Sequence, residues 1–348
     1  MGKIGFGIIG CGNIGPIHAD AISQVRPARL VAVSDVVEKS AKALADRYSV
    51  QAYTDYRALL DRKDVHAVTL CVPSGIRAEI GEACAAAGKH ILAEKPLEIT
   101  TERIDRLIAA AEKAGVKLGC VFQSRFADGS RHLRTAIDQG RFGRLVLGDA
   151  YIKWFRSQEY YSGSAWRGTQ RFDGGGVLMN QGIHQIDLLL WFMGRVVRVN
   201  AQAAQCGHEA LEVEDLACAL LEFENGAMGV IEGSTAIWPG HPGRVEIHGT
   251  DGSAILEDSE LRFWRFKKKF KIDDRIRATL GKTADLGSGA SDPLSDLKSE
   301  GHRRQILDFV KAIQEDRPPM VDGREGRRAV EVIEAIYKSA STGEPVSM

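Results

Sequence analysis

The first 122 residues alternate between short apolar runs and longer helical stretches, and this alternation restricts the possible fold more than any other feature. Strands are predicted over residues 4–9, 30–34, 67–72, 90–93 and 118–122. Helices are predicted over residues 14–25, 39–48, 56–60, 76–87 and 101–114. The predicted strands are apolar throughout, which is typical of strands covered on both faces. We therefore predict an α/β domain with a doubly wound parallel sheet over residues 1–122.

The pattern changes after about residue 123, where helix-like segments at 131–139 and 180–192 precede a cluster of strand-like runs. These runs cover residues 196–204, 216–224, 228–236, 243–248 and 253–257. Turns at hairpin spacing separate several of them, which predicts a largely antiparallel open sheet. Residues 123–348 are thus predicted to form an α+β domain, with a long loop over 281–301 and two closing helices near 302–314 and 324–341.

The composition narrows the classes of partner. Lys+Arg and Asp+Glu both number 46, so the formal net charge is zero, and we expect neither a nucleic-acid nor a membrane partner. We recognise no secretory leader and no apolar run long enough to cross a bilayer. The six cysteines are scattered without a C-x-x-C pair, so we expect reduced thiols in a cytoplasmic protein and no metal site.

A glycine motif lies between the first predicted strand and the first predicted helix. Gly10, Gly12 and Gly15 fit the pattern G-x-G-x-x-G in the context that a dinucleotide site requires. The first glycine allows a tight turn, the second lets a diphosphate approach the backbone, and the third lets helix and strand pack closely. Asn13 and Ile14 are expected to contact the cofactor at the start of the helix. The alternative is an ordinary glycine turn in an α/β domain.

Asp35 ends the second predicted strand, twenty residues after Gly15. A carboxylate there accepts hydrogen bonds from a ribose 2′-hydroxyl and repels a 2′-phosphate, which predicts NAD rather than NADP as the cofactor. In the alternative interpretation Asp35 caps the next helix, and the nearby Lys39 could still reach a phosphate.

Glu94, Lys95 and Pro96 directly follow the predicted strand 90–93. Ligands of open α/β sheets bind beyond the carboxyl ends of the strands, so Lys95 is expected to point towards the cofactor. Pro96 is expected to hold Lys95 in an extended conformation. The alternative is a charged pair on the surface at the end of a strand.

A glycine-rich segment, residues 173–176, leads into the predicted helix 180–192. Asn180 and His184 are spaced i, i+4 and are predicted to share a face, and Asp187 follows three residues later. A lone histidine on an apolar helix is usually a satisfied core residue. Beside a nucleotide-binding fold and a lysine at a strand end, however, His184 becomes a candidate general base.

Together, the glycine motif, Glu-Lys-Pro and the segment 174–187 resemble the glucose–fructose oxidoreductase/inositol dehydrogenase (Gfo/Idh/MocA) family over essentially the whole chain. The resemblance implies an N-terminal Rossmann domain that binds NAD and a second domain whose open sheet mediates homodimers or homotetramers. It implies that Lys95 hydrogen-bonds the reacting hydroxyl and that His184 takes the hydroxyl proton. It also adds Pro73, Glu94 and Gln123 to the cofactor-binding residues and Arg125 to the substrate-binding residues.

This chain departs from the family pattern at position 180, where many relatives carry an aspartate. An amide at Asn180 can orient His184 or bind a substrate hydroxyl, but it cannot stabilise an imidazolium by charge. A strict Lys–Asp–His relay and simple inositol dehydrogenase chemistry are therefore not expected.

Residues 158–161, 166–169 and 179–181 are similar to those of a subgroup that includes UDP-N-acetylglucosaminuronate 3-dehydrogenases. Tyr160 and Trp166 supply flat faces for sugar rings, and Arg167 supplies a paired donor for hydroxyls or a carboxylate. The resemblance implies oxidation of the C3 hydroxyl of a sugar or nucleotide sugar. The alternative is a packed aromatic loop without a ligand.

Two other hypotheses about the function stay open. The same site would serve a reductase acting on a keto-sugar or keto-inositol, and the same fold could serve a non-catalytic NAD-binding sensor. The basic stretch 262–271 alternates aromatic and cationic residues and predicts an edge strand whose lysines block aggregation. Its alternatives are recognition of an anionic substrate or of single-stranded nucleic acid.

Overall fold

The structure is a computed structural model that describes residues 2–280 and 299–348. The chain divides into two compact units. Unit 1 comprises Met1–Gln123 and Leu297–Arg327, and unit 2 comprises Ser124–Asp296 and Arg328–Met348. The sequence interpretation had assigned everything after residue 122 to the second domain, whereas the described residues 299–327 pack with unit 1. The loop predicted over 281–301 lies outside the described residues up to 298, and residue 299 begins a helix.

Unit 1 contains a six-stranded parallel sheet in the order β3-β2-β1-β4-β5-β6. Its strands are β1 (Ile4–Ile9), β2 (Ala28–Ser34), β3 (Gln51–Tyr53), β4 (Ala67–Leu70), β5 (His90–Ala93) and β6 (Leu118–Cys120). The helices up to residue 123 are α1 (Gly15–Ser23), α2 (Glu38–Tyr48), α3 (Tyr56–Leu60), α4 (Arg77–Ala86) and α5 (Thr101–Ala114). The predicted doubly wound sheet is confirmed. Only the three-residue edge strand β3 was missed, because it is too short to show a period.

The core of unit 1 is completed by a helix from the later part of the chain. Phe6 and Ile8 on β1 and Ile22 on α1 pack with Phe309 and Val310 of α10 (Ser299–Gln314). α10 lies against α1 in this packing. The nucleotide-type sheet therefore depends on residues about 180 positions after its last strand, a distance over which sequence periodicity carries no information.

Unit 2 is built around an eight-stranded sheet in the order β13-β12-β11-β7-β10-β9-β8-β14. Its strands are β7 (Leu145–Lys153), β8 (Val196–Ala204), β9 (Leu216–Phe223), β10 (Met228–Ser234), β11 (Arg244–Gly249), β12 (Gly252–Glu257), β13 (Glu260–Phe266) and β14 (Val346–Ser347). The helices of this unit are α6 (Asp128–Asp138), α7 (Gln158–Ser162), α8 (Ile183–Met193) and α9 (Lys271–Arg277), and α11 (Gly323–Thr342) enters it at residue 328. The predicted largely antiparallel sheet is confirmed, with β7 and β10 pairing in parallel.

The central strand β7 was missed by the sequence interpretation. Its middle residues are Gly148 and Asp149, which are types depleted in strands. The buried Asp149 carboxylate accepts a hydrogen bond from the Val230 N–H at 3.1 Å, so the neighbouring strand β10 satisfies it. A partner that is distant in sequence thus allows an aspartate in the middle of the sheet.

The basic stretch forms an edge strand as predicted, but its lysines lie outside that strand. β13 ends at Phe266 and lies at one edge of the sheet, whereas Lys271 begins α9. The Asp273 carboxylate accepts the Phe270 N–H at 2.7 Å and also binds the Arg141 guanidinium, so α9 starts soon after the strand. The prediction that the lysines protect the edge was therefore wrong.

No helix among the described residues has both the length and the apolar character needed to cross a membrane.

Candidate active site

The cofactor-binding residues predicted in unit 1 follow the carboxyl ends of five parallel strands. Because these ends meet at one edge of a parallel sheet, the residues gather there. The order of the sheet reverses between β1 and β4, which is where such folds bind nucleotides. The residues that follow β1, β2, β4, β5 and β6 are, respectively, Gly10 to Gly15, Asp35, Pro73, Glu94 with Lys95, and Gln123.

The geometry of the glycine turn fits a dinucleotide diphosphate. Gly10 has φ +99°, and a Cβ there would lie 2.6 Å from the Cys71 carbonyl carbon. A Cβ at Gly15 would lie 2.6 Å from the Gly10 oxygen, so the third glycine permits a close approach of the chain to itself. Gly12 is exposed, and a Cβ there would meet nothing within 4 Å. The backbone at Gly12 is therefore open to a phosphate at the start of α1.

Asp35 connects this turn to the end of β2. Its Oδ2 accepts a hydrogen bond from the Cys11 N–H at 2.7 Å, and its Oδ1 accepts one from the Val37 N–H at 2.8 Å. Val37 precedes the first residue of α2, so Asp35 also supports the start of that helix. A carboxylate has about four lone-pair positions, so the side chain still has capacity to accept from a ribose hydroxyl.

Glu94 and Lys95 differ from the surface pair that was the alternative interpretation. Glu94 is only 5% exposed, and its carboxylate binds His18 Nε2 at 2.8 Å. Its other oxygen accepts the backbone N–H of Lys95 at 3.1 Å. The Lys95 side chain is half-buried at the strand end, and the Lys95–Pro96 peptide is cis. The buried carboxylate therefore braces the backbone of Lys95.

In unit 2, the predicted helix 180–192 is divided into two elements. Asn180 lies in a π-helix, Val177–Gln181, and His184 lies near the start of α8. The i, i+4 rule for a continuous α-helix therefore does not apply between them. Glu214 accepts the N–H groups of Gly176 at 2.8 Å and Leu178 at 3.0 Å, and so holds the start of the π-helix.

Asn180 is oriented by Asp173, a residue that the sequence interpretation did not select. Asn180 Nδ2 donates to Asp173 Oδ1 at 2.7 Å, and Asp173 Oδ2 accepts the Gly168 N–H at 2.9 Å. Since an ionised carboxylate can only accept, this contact fixes which end of the amide faces Asp173. The Asn180 oxygen therefore points away from that carboxylate. The only sequence signal was an aspartate at the start of the glycine-rich segment.

Arg125, predicted to bind substrate, is buried inside unit 2. It is 1% exposed, and its guanidinium binds the Asp187 carboxylate through two contacts of 2.9 and 2.6 Å. The guanidinium carbon also lies 5.3 Å from the centroid of the Trp191 ring. This geometry fits an anchor for α8, one turn after His184. A substrate contact by Arg125 stays a prediction.

Three residues predicted to bind the sugar lie together. The Arg167 guanidinium carbon is 4.2 Å from the centroid of the Tyr160 ring and 5.6 Å from that of Trp166. The Tyr160 hydroxyl accepts from Gln181 Nε2 at 2.8 Å, and Gln181 Oε1 accepts from the buried Arg156 at 3.0 Å. These contacts connect the segment that carries Tyr160, Trp166 and Arg167 to the π-helix that carries Asn180. Arg156 was not selected from the sequence, and Gln181 was noted only within the segment 179–181 without a role, because their contacts link separate segments.

Comparison with known proteins identifies the family. A model of the oxidoreductase family's NAD-binding Rossmann fold matches residues 4–122, and a model of its C-terminal alpha/beta domain matches residues 134–348. The chain belongs to the Gfo/Idh/MocA oxidoreductase family. The resemblance predicted from its motifs is confirmed, and this Gfo/Idh/MocA protein is an NAD-dependent enzyme of the sugar and polyol dehydrogenase type.

Several relatives match this Gfo/Idh/MocA chain over nearly its full length. The WlbA dehydrogenase from Bordetella pertussis, in complex with NADH and UDP-GlcNAcA, is 31% identical with a TM-score of 0.91 and covers 100% of this chain and 98% of its own. The uncharacterized oxidoreductase YrbE of Bacillus subtilis is 30% identical, covering 98% of this chain and 96% of its own. The myo-inositol 2-dehydrogenase of Thermotoga maritima is 27% identical, covering 98% of each chain.

Proposed function

We propose that this enzyme oxidises the C3 hydroxyl of an anionic nucleotide sugar of the UDP-N-acetylglucosaminuronate class, with Lys95 and His184 as the proton-transfer groups. The observation that carries the proposal is the likeness, over 100% of this chain, to the WlbA complex with NADH and UDP-GlcNAcA. The half-buried position of Lys95 at the end of β5 supports it independently.

In the proposed reaction, the Lys95 ammonium donates a hydrogen bond to the oxygen of the reacting hydroxyl. This contact stabilises the negative charge that develops on the oxygen. The His184 imidazole accepts the hydroxyl proton as general base. Bound NAD⁺ supplies the acceptor for the hydride that leaves the same carbon, so the secondary alcohol becomes a ketone. Asn180, held by Asp173, directs its amide oxygen towards His184 or a second substrate hydroxyl.

The residues proposed to hold NAD lie in unit 1. The backbone at Gly12 binds the diphosphate, and Asp35 accepts from the adenosine ribose. The remaining proposed contacts are those of Gly10, Asn13, Ile14, Gly15, Pro73, Glu94, Lys95 and Gln123.

The aromatic loop supports an anionic sugar as substrate. Tyr160 and Trp166 offer flat apolar faces, and the half-buried Arg167 lies beside both rings. A guanidinium binds a carboxylate through two parallel hydrogen bonds, which suits a uronic acid better than a neutral sugar. Arg167 is therefore proposed to recognise the carboxylate of the substrate.

A cyclic polyol is the second candidate substrate, because the Thermotoga myo-inositol 2-dehydrogenase is 27% identical over 98% of this chain. The decisive experiment measures NADH formation with UDP-N-acetylglucosaminuronate, UDP-glucuronate, UDP-glucose, simple glucosides and myo-inositol. We expect the highest kcat/KM with the first. A higher value with myo-inositol would favour the polyol, and NAD binding without turnover on any compound would indicate a sensor.

Replacement of the proposed catalytic lysine tests the mechanism. Lys95→Ala is expected to lower turnover by about 100- to 10,000-fold, because a positioned proton-transfer group contributes about this much. The Kd for NADH should change by less than about tenfold, or about 1.4 kcal/mol. Lys113→Ala, at an exposed position on α5, is the matched control and should retain turnover. Wild-type turnover in Lys95→Ala would refute the assignment.

We also propose that the enzyme forms a homodimer or homotetramer through the outer face of the unit 2 sheet. Leu147 and Met228 are directly opposite each other on β7 and β10, and both are exposed on that face. Leu220 on β9 and Phe263 on β13 are also exposed on this face, with exposed fractions of 52% and 40%. Ion pairs such as Lys153–Glu232 and Arg198–Glu222 lie among these apolar side chains on the same face. Exposed apolar side chains set among charged ones are typical of a protein interface. The cytoplasmic location and the absence of nucleic-acid and membrane partners stay predictions.

A further inference from the structure

A buried group of two histidines and one carboxylate lies beside the proposed catalytic lysine in unit 1. His18 is on α1, Glu94 follows β5, and His302 is on α10; none of the three is more than 5% exposed. His18 Nε2 lies 2.8 Å and His302 Nε2 lies 3.7 Å from the same oxygen, Glu94 Oε1. The proposed hydride-transfer chemistry uses neither histidine. This group is called the His–Glu–His cluster below.

The charges in the cluster follow from its hydrogen bonds. Burial opposes ionisation of Glu94, but the hydrogen bond from His18 and the nearby His302 imidazole, whose Nε2 is 3.7 Å away, outweigh burial and hold the pKa of Glu94 well below its usual value. Glu94 is therefore a carboxylate that can only accept, so His18 must carry its proton on Nε2. Burial lowers the pKa of His18 and keeps the ring neutral.

The second nitrogen of each ring supports the neutral form. The Nδ1 atoms of His18 and His302 are buried and have no hydrogen-bond partner among the described residues. A protonated imidazole would bury an N–H donor without an acceptor, which is unfavourable because the donor loses its hydrogen bond to water. In the neutral Nε2–H form, His18 donates to Glu94 and no unpaired Nδ1–H donor is buried.

The other oxygen of Glu94 connects the cluster to the lysine. Glu94 Oε2 accepts the Lys95 N–H at 3.1 Å, and Arg77 Nη1 donates to the Glu94 carbonyl at 3.0 Å and also to the Pro96 carbonyl. The backbone on both sides of Lys95 is therefore held by buried, charge-assisted hydrogen bonds. A carboxylate that rotated or moved would release the Lys95 amide.

We propose that His18 and His302 are positioning residues that clamp the Glu94 carboxylate and thereby hold Lys95 in its reactive place. The inference rests on the proposed role of Lys95. In this proposal α10 contributes to the reaction, because this helix supplies one of the two imidazoles from a segment far along the chain. Neither histidine is assigned a contact with substrate.

The same three side chains could in principle bind a metal ion, since their ligand atoms all lie within 4.8 Å of one another. Two observations favour the clamp. The 2.8 Å separation of His18 Nε2 and Glu94 Oε1 is that of a hydrogen bond, whereas tetrahedral zinc ligands at about 2.0–2.1 Å from the ion stand about 3.3 Å apart. Histidines that bind metals also donate their other N–H to an acceptor, which both Nδ1 atoms lack among the described residues.

The kinetic test uses His302, which is distant in sequence from the glycine turn. His302→Leu removes the Nε2 donor and is expected to lower kcat by about 10- to 100-fold, the effect of misplacing a catalytic group by about 1 Å. KM for the sugar and Kd for NADH should change by less than about threefold. His302→Gln keeps a donor near the position of Nε2 and should recover most of kcat. Unchanged kcat in the leucine variant, or equal loss in both variants, would overturn the clamp.

A matched control lies on the same strand as Glu94. His90 begins β5, and its Nδ1 accepts the Lys117 N–H at 2.9 Å at the end of the strand opposite Lys95. His90→Leu removes this buried contact and should destabilise the protein without the loss of kcat. A similar fall in kcat for His90→Leu would mean that general loosening of unit 1 explains the result, and would contradict the inference.

A second measurement does not depend on turnover. Long-range ¹H–¹⁵N spectra of the full-length protein at neutral pH report the tautomer of each of the nine histidines, and the variants His18→Gln and His302→Gln assign two of them. We expect both rings to be neutral Nε2–H tautomers whose signals shift in Glu94→Gln. Charged rings, Nδ1–H tautomers or one equivalent of tightly bound metal would overturn the inference. If no sugar is oxidised, the proposed function fails, while these spectra still decide the clamp.

Discussion

At the end of β2, Asp35 accepts two backbone hydrogen bonds and is also proposed to read the ribose of the cofactor. Asp35→Ser is expected to lower the ratio of kcat/KM for NAD⁺ to that for NADP⁺ by on the order of tenfold, or about 1.4 kcal/mol, because it removes the charge that repels a 2′-phosphate. The ratio is the informative measurement, since loss of the contact with the glycine turn weakens binding of both cofactors.

Asp46→Ser is the control for this substitution, because Asp46 is an exposed carboxylate on α2 and its removal changes the net charge equally. The cofactor ratio of this variant should match that of the wild type. An unaltered ratio in Asp35→Ser would mean that another group determines the preference for NAD⁺ over NADP⁺.

At the residue scale, the sequence allows candidate site residues to be selected where a local motif surrounds them. Gly10, Gly15 and Lys95 could be selected because the strands and turns around them have short-range signatures. Roles for Asp173 and Gln181 could not be predicted, because each acts through a contact between segments that no motif connects. The burial of Arg125 was hidden for the same reason: its partner Asp187 is 62 positions away.

At the element scale, periodicity predicted most strands and helices, but it missed the short helices α7 and α9 and failed at three further kinds of site. β3 and β14 are too short to show alternation. β7 contains Gly148, which packs closely against α8, and Asp149, which accepts a hydrogen bond from β10. Both residue types are unusual in a strand, and their partners are distant in sequence. The π-helix Val177–Gln181 was read as part of α8, because one added residue in a turn leaves no mark on an apolar pattern.

The Arg125–Asp187 pair gives a stability prediction for α8. Asp187→Ala would leave a buried guanidinium without its carboxylate, and it is expected to lower the free energy of unfolding by about 3–5 kcal/mol. Asp138→Ala is the control, because Asp138 pairs with Arg134 at 2.6 Å on the exposed face of α6. Its loss should cost about 1 kcal/mol or less. Urea denaturation of both variants measures the difference. Equal destabilisation would show that burial of the Arg125–Asp187 pair does not increase its contribution to the free energy of unfolding.

At the scale of the whole molecule, each of the two units is built from two separate stretches of the chain. The chain leaves unit 1 after Gln123, builds the sheet of unit 2 and returns with α10 to complete the first core. Amphipathic periodicity predicted a helix at 302–314 but could not tell which core it joins, because both cores present apolar surfaces of similar chemistry. The His–Glu–His cluster depends on this return, since His302 comes from α10.

The exposed outer face of the unit 2 sheet leads to a prediction about assembly. Leu220→Glu puts a charge on this face, between β8 and β10, and burying that charge without a partner in an interface would cost several kcal/mol. We therefore expect light scattering coupled to gel filtration to give the mass of an oligomer for the wild type and that of a single chain for the variant. Ala43→Glu, at an exposed position on α2 in unit 1, adds the same charge and should leave the oligomer intact. An oligomer that persists in Leu220→Glu would assign the interface to another surface. A wild-type monomer would mean that these apolar side chains face solvent, and the proposed assembly would be wrong.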